Sequence, residues 1–208
     1  HAATSADFWQ APAFGGPDFT WTGAGEGDAV DTAGNWEGDA APSRQENKGP
    51  HLIFNDVDVT VTGTPPNTSD GGGISVTGNS NVSVSLGQWG GSVYVGAGST
   101  LSTTFSNQIK SMEAEGHANI YVDGTLNLTT PGGNLNFDNG TGSGSHYWHI
   151  GLDGMINLSN TTTVTKNDRT WNVEVVVAGA MEALTVTNRE LVDDALLTRY
   201  FMSTGADL

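Results

Sequence analysis

Cysteine is absent from this chain, so neither a disulfide nor a thiolate metal site is available to it. Basic residues are scarce: 7 lysines and arginines stand against 23 aspartates and glutamates, for a net charge of −16. That imbalance repels phosphate backbones and anionic lipid, which excludes nucleic acid and membrane surfaces as expected partners. It is compatible with cations, calcium above all, and equally with an acidic surface that serves only solubility. No run approaches the roughly 20 apolar residues of a membrane span. Apolar residues make up 36% of the 208, few for a compact globule. Motifs with a built-in chemistry are missing as well. The chain has no Gly-x-Ser-x-Gly elbow, no His-Glu-x-x-His and no phosphate loop. Gly71-Gly72-Gly73 lacks the lysine and helix that phosphate binding needs, and no acidic loop has EF-hand spacing. No motif requires a cofactor.

Glycine is abundant, at 29 residues, and much of it sits inside a repeated phrase. The phrase reads Tyr94-Val95-Gly96-Ala97-Gly98-Ser99-Thr100-Leu101, then Tyr121-Val122-Asp123-Gly124-Thr125-Leu126-Asn127-Leu128, then Gly151-Leu152-Asp153-Gly154-Met155-Ile156-Asn157-Leu158. A looser copy runs from Val176 to Leu184. With Val95, Val122, Leu152 and Val177 as markers, the phrase recurs roughly every 25–30 residues, the signature of a stacked repeat. Each unit is two short strands about a glycine turn, too small to bury its own apolar face, so neighbours must stack. Upstream, Leu52-Ile53-Phe54, the alternating Val57, Val59 and Val61, and the pairs Ile74/Val76 and Val82/Val84 read as further strands.

The two ends differ from this middle. Residues 1–50 hold Phe8, Trp9, Phe14, Phe19, Trp21 and Trp36 without sustained alternation, which suits a cap over the first coil. Residues 51–187 are the coils. In the tail, Thr187-x-x-Glu190 is a capping-box signature, and Leu191, Ala195, Leu196 and Tyr200 recur at helical spacing. This predicts an amphipathic helix over 188–203, with Gly205 as its stop, inside a capping segment 188–208. The expected architecture is a single-domain, all-β solenoid with an N-terminal aromatic cap and a C-terminal helix.

Phe19-Thr20-Trp21-Thr22-Gly23-Ala24-Gly25, Asn35-Trp36, Pro42 and Ile53-Phe54 resemble the opening of bacterial autotransporter-associated β-strand repeat proteins. Val122-Asp123-Gly124-Thr125-Leu126-Asn127-Leu128 resembles one of their coils. The resemblance covers residues 19–62 and 93–184. It implies that the solenoid is a right-handed parallel β-helix of pectate-lyase-like shape in a secreted or surface-displayed bacterial protein, and it implies little about activity.

Two sets of residues carry candidate chemistry. Asp123 and Asp153 share a repeat position, and in-register stacking would set their backbones about 4.8 Å apart. Three readings stay open. Asp-Gly is a turn dipeptide. A calcium ion could bridge the two carboxylates. Alternatively the pair is catalytic, with one carboxyl pushed towards its neutral form, as in glycosidases or acid peptidases. Asn127 and Asn157 also stack, as a structural ladder. The second set is His146-Tyr147-Trp148-His149, together with Trp89 among glycines. On a strand His146 and His149 face opposite ways, which argues against a shared metal. Trp89, Tyr147 and Trp148 read as sugar-stacking rings or as packing. The leading functional expectation is a secreted or cell-surface protein that binds a glycan or glycoprotein, such as mucin or a polysaccharide, through its loops. A hydrolase of glycoconjugates working through Asp123 and Asp153 is the first alternative, and a surface-layer spacer the second.

Overall fold

The structure, a computed structural model, describes residues 14–68, 70–86, 91–104, 108–110, 118–129, 134–138, 144–151, 153–159, 163–166, 170–177 and 199–202. In chain order the strands are β1 (Asp18–Thr20), β2 (His51–Asn55), β3 (Asp58–Val61), β4 (Gly73–Thr77), β5 (Asn81–Ser85), β6 (Ser92–Val95), β7 (Thr100–Thr104) and β8 (Gln108–Lys110). They continue with β9 (Ala118–Val122), β10 (Thr125–Thr129), β11 (Asn134–Asp138), β12 (Gly144–Ile150), β13 (Met155–Ser159), β14 (Thr163–Lys166), β15 (Thr170–Val177) and β16 (Arg199–Met202). All strand pairs are parallel. Two extended sheets result. The larger has eight strands in the order β1-β2-β4-β6-β9-β12-β15-β16, and the other five, β13-β10-β7-β5-β3.

The pattern of sequential strands alternating between these sheets is solenoid-like, but it departs from the expected right-handed β-helix in two respects. First, among the described residues a third sheet comprises only β8, β11 and β14, so the described parts of the early coils have two strand-bearing faces and not three. The reason lies in the return segments. Between β3 and β4 the chain carries Pro65, Pro66, Gly71 and Gly72, and proline cannot donate to a ladder. Second, no α-helix occurs among the described residues; the one helical element is a 3-10 turn at Ala33–Asn35. Within the expected helix 188–203, Arg199–Met202 is strand β16, which sets Tyr200, Phe201 and Met202 beside Val175, Val176 and Val177. Aromatic and β-branched neighbours favour an extended edge, and that tertiary pairing overrides the helical spacing. The capping box at Thr187–Glu190 lies outside the described residues.

The core is a set of columns running through the rungs. Phe19, Leu52, Ile74, Val93 and Ile120 are in register and buried, as are Phe54, Val76, Val95, Val122 and Ile150. Val82, Leu101, Leu126 and Ile156 answer them from the five-stranded sheet. Burying each such side chain contributes about 1.5–3 kcal/mol. At the β1 end the core turns aromatic: Trp36 meets Trp21 edge-on at 5.0 Å and packs on Phe54 at 5.8 Å. The Trp36 Nε1–H donates to the Val30 carbonyl at 2.8 Å, so the buried indole leaves no polar group unpaired. Phe8 and Trp9 lie outside the described residues. On the outer side of the five-stranded sheet the expected ladder is present: Asn157 Nδ2 donates to Asn127 Oδ1 at 2.9 Å, and Asn127 Nδ2 to Ser102 Oγ at 3.1 Å.

Candidate functional site

Alternation that sends the apolar columns inward leaves the intervening residues on the outer face of the eight-stranded sheet. Asp18, His51, Gly73 and Ser92 form one row across the rungs. Thr20, Ile53, Ser75, Tyr94 and Tyr121 form the next. Polar and aromatic residues from strands far apart in sequence are thereby brought onto one surface.

At the β1 end of that face, His51 bridges two partners. Its Nδ1 lies 2.7 Å from Asp18 Oδ1 and its Nε2 lies 2.7 Å from Ser75 Oγ. An ionised carboxylate accepts only, so with the ring neutral Nδ1 carries the proton and donates to Asp18. Nε2 is then bare and accepts the Ser75 hydroxyl proton. Burial pushes the His51 pKa below its ordinary value, against the opposing hydrogen bond and charge of Asp18. The Phe14 ring stacks on the imidazole, with centroids 3.7 Å apart and planes 6° from parallel. Gly73 makes room for it: a Cβ there would lie 2.7 Å from Phe14 Cε1 and 2.0 Å from the Ser92 carbonyl oxygen, at a φ of +149°. The Gly15 and Gly16 amides both donate to the Gly71 carbonyl, which fixes the segment carrying Phe14. The triglycine is thus a packing element.

Two rungs further along, the face holds Ser92 and Tyr94 on β6 and Asn119 and Tyr121 on β9, followed by Asp123 at the corner. Tyr94 and Tyr121 are register partners, and both are half-buried. The Asn119 amide donates to Ser92 Oγ at 3.3 Å. Asn119 Oδ1 and Asp123 Oδ1 are buried and accept no hydrogen bond. Burial raises the Tyr94 pKa, and repulsion from the Asp123 carboxylate adds to the rise. Asp123 and Tyr94 are therefore electrostatic neighbours, and the phenol stays protonated.

The register also locates the residues singled out from the sequence. Asp123 and Gly124 alone fill the corner between Val122 and Thr125, while Gly151 to Gly154 fill the corresponding corner between Ile150 and Met155. Ile150, and not Leu152, is the partner of Val122. Asp153 sits in this longer corner and is exposed, whereas Asp123 is half-buried with one oxygen sealed. The two aspartates thus occupy different environments. On β12, Tyr147 pairs with Asn119 and His149 with Tyr121, so these positions extend the two outer rows. His146 and Trp148 pair with Ala118 and Ile120, at positions of the other parity. Trp89 lies outside the described residues. Among the described residues no group of three or more His, Asp or Glu side chains is placed to hold a metal ion.

Asp18, His51 and Ser75 escaped the sequence reading because no local motif joins them. They lie 33 and 24 residues apart, close to the spacing of the coils. Extending the repeat upstream through Phe19, Leu52 and Ile74 would have placed them on adjacent rungs. Compared with family models, with curated proteins and with solved structures, the chain matches none.

Proposed function

We propose that the protein binds a polysaccharide, or the glycan of a glycoprotein, along the outer face of the eight-stranded sheet. One observation carries the reading: two buried acceptors without donors, Asn119 Oδ1 and Asp123 Oδ1, flank the register pair Tyr94 and Tyr121. A buried acceptor left unmatched costs about 1–3 kcal/mol, and a ligand hydroxyl that displaces the cover over it would recover that cost. Tyrosine rings offer apolar faces to sugar C–H groups and a hydroxyl to their oxygens. A surface that repeats at each rung, about 4.8 Å apart, suits a ligand that is itself a repeating chain. The face replaces the loops as the expected place of contact. In this reading the protein works outside a bacterial cell or on its surface, and calcium at Asp123 is an accessory. Titration calorimetry against a panel of polysaccharides and a mucin-type glycoprotein, with and without chelator, tests it. Tyr121→Ala should weaken binding about tenfold. Binding unchanged by Tyr94→Ala and Tyr121→Ala alike would remove the face from consideration.

A further inference from the structure

We propose that Asp18, His51 and Ser75 form a nucleophilic relay that cleaves small acyl esters, Ser75 being the nucleophile, His51 the general base and Asp18 its positioning residue. The geometry is that of an activated serine: Oγ and Nε2 are 2.7 Å apart, and Nδ1 is held 2.7 Å from a carboxylate on its far side. The Asp18 carboxylate selects the tautomer in which Nε2 is free to take a proton. Burial of the ring keeps it neutral and hence basic in function near neutral pH.

The chemistry balances without any further reagent. Ser75 Oγ attacks the acyl carbon as its proton passes to His51 Nε2. The carbonyl oxygen becomes an oxyanion. When the carbonyl reforms, the ester C–O bond breaks and the alcohol leaves with the proton from His51. Water then attacks the acyl-serine, giving a proton to His51. As the acyl–Oγ bond breaks, that proton returns to Ser75, and a carboxylic acid is released. Tyr94, the register partner of Ser75 on the next rung, supplies a phenol that remains a donor because burial raises its pKa.

Access decides the class of acyl group. Ser75 is only 8% exposed, and Phe14 covers the neighbouring imidazole. That restriction favours a small acyl group such as acetyl over a long chain. An acetylated polysaccharide lying on the adjoining Tyr94–Tyr121 face would present such esters. This last step, the polymeric substrate, rests on the proposed glycan-binding reading; the relay itself does not.

The test is therefore made with probes that need no glycan. The whole protein is treated with a fluorophosphonate and, separately, with p-nitrophenyl acetate, and adducts are located by peptide mass spectrometry. Wild type should carry a single new adduct at Ser75. Ser75→Ala should lose it, and His51→Gln should slow it at least about 100-fold. Phe14→Ala, which removes no relay residue but uncovers the imidazole, should accelerate labelling. Absence of a Ser75 adduct in both folded wild type and folded Phe14→Ala overturns the proposal, as does labelling at equal rates in wild type and folded His51→Gln. Loss of glycan binding with Ser75 labelling retained would overturn the binding reading alone.

Discussion

His51 is where residue-scale chemistry is easiest to read in bulk behaviour. Its folded pKa is lowered, so the unfolded chain binds the proton more readily. Its contribution to stability is therefore complete above the unfolded value of 6.5 and declines as pH falls from there towards the folded pKa. Thermal melts of wild type should lose stability as pH falls through this window, and His51→Gln should flatten that part of the profile. A wild-type profile no steeper than that of the variant would place the imidazole in water. Tyr94 offers a second reading of the same kind. Its phenol should titrate above 10.0 in a tyrosine-resolved NMR titration. Asp123→Asn should lower that value only in part, because burial is the larger cause. None of this was legible in the sequence. Ser75 looks like any polar residue of an alternating strand, and His51 like the start of one. Their meaning comes from the rung spacing, which local pattern does not disclose.

At the scale of elements, the corners hold information that the strands lack. Thr125-Leu126-Asn127-Leu128 and Met155-Ile156-Asn157-Leu158 align in the structure as they do in the sequence, because period-two alternation fixes which residues turn inward. The strands before them do not align by the same count. A repeat read through Asp123-Gly124 and Asp153-Gly154 pairs Val122 with Leu152, while the sheet pairs it with Ile150. The longer corner absorbs the difference, and only backbone geometry reveals it. Gly154 shows how tightly that corner sits on the rung below: a Cβ there would lie 2.0 Å from the Val122 carbonyl oxygen. Gly154→Ala should destabilise the protein by about 1–3 kcal/mol in urea unfolding. On the facing sheet, Leu126→Ala should cost about 2–5 kcal/mol, because the side chain lies sealed between Leu101 and Ile156. The tail teaches the opposite lesson. Leu191, Ala195, Leu196 and Tyr200 have helical spacing, yet Arg199–Met202 pairs with β15. Periodicity describes a face, and an available sheet edge decides how the chain presents it.

Over the whole molecule, parallel rungs turn a weakly apolar, glycine-rich chain into a surface. The 36% apolar content suffices because each rung buries a few side chains against its neighbours. The all-β character was legible from alternation; the division into two long sheets and one short one was not, because it depends on return segments such as the one where Pro65 and Pro66 interrupt pairing. A far-ultraviolet circular dichroism spectrum should be dominated by its β-type component. The net charge of −16 repels phosphate polymers and directs attention to neutral ligands. The central claim is that the outer face of the eight-stranded sheet, rather than the five-stranded one, meets a glycan. It is tested most directly by retention on immobilised polysaccharides and mucin, comparing wild type, the double variant Tyr94→Ala/Tyr121→Ala and Asn127→Ala on the opposite sheet. The account predicts that the tyrosine variant is no longer retained while wild type and Asn127→Ala are retained equally. Retention of all three alike, or loss confined to Asn127→Ala, would contradict it.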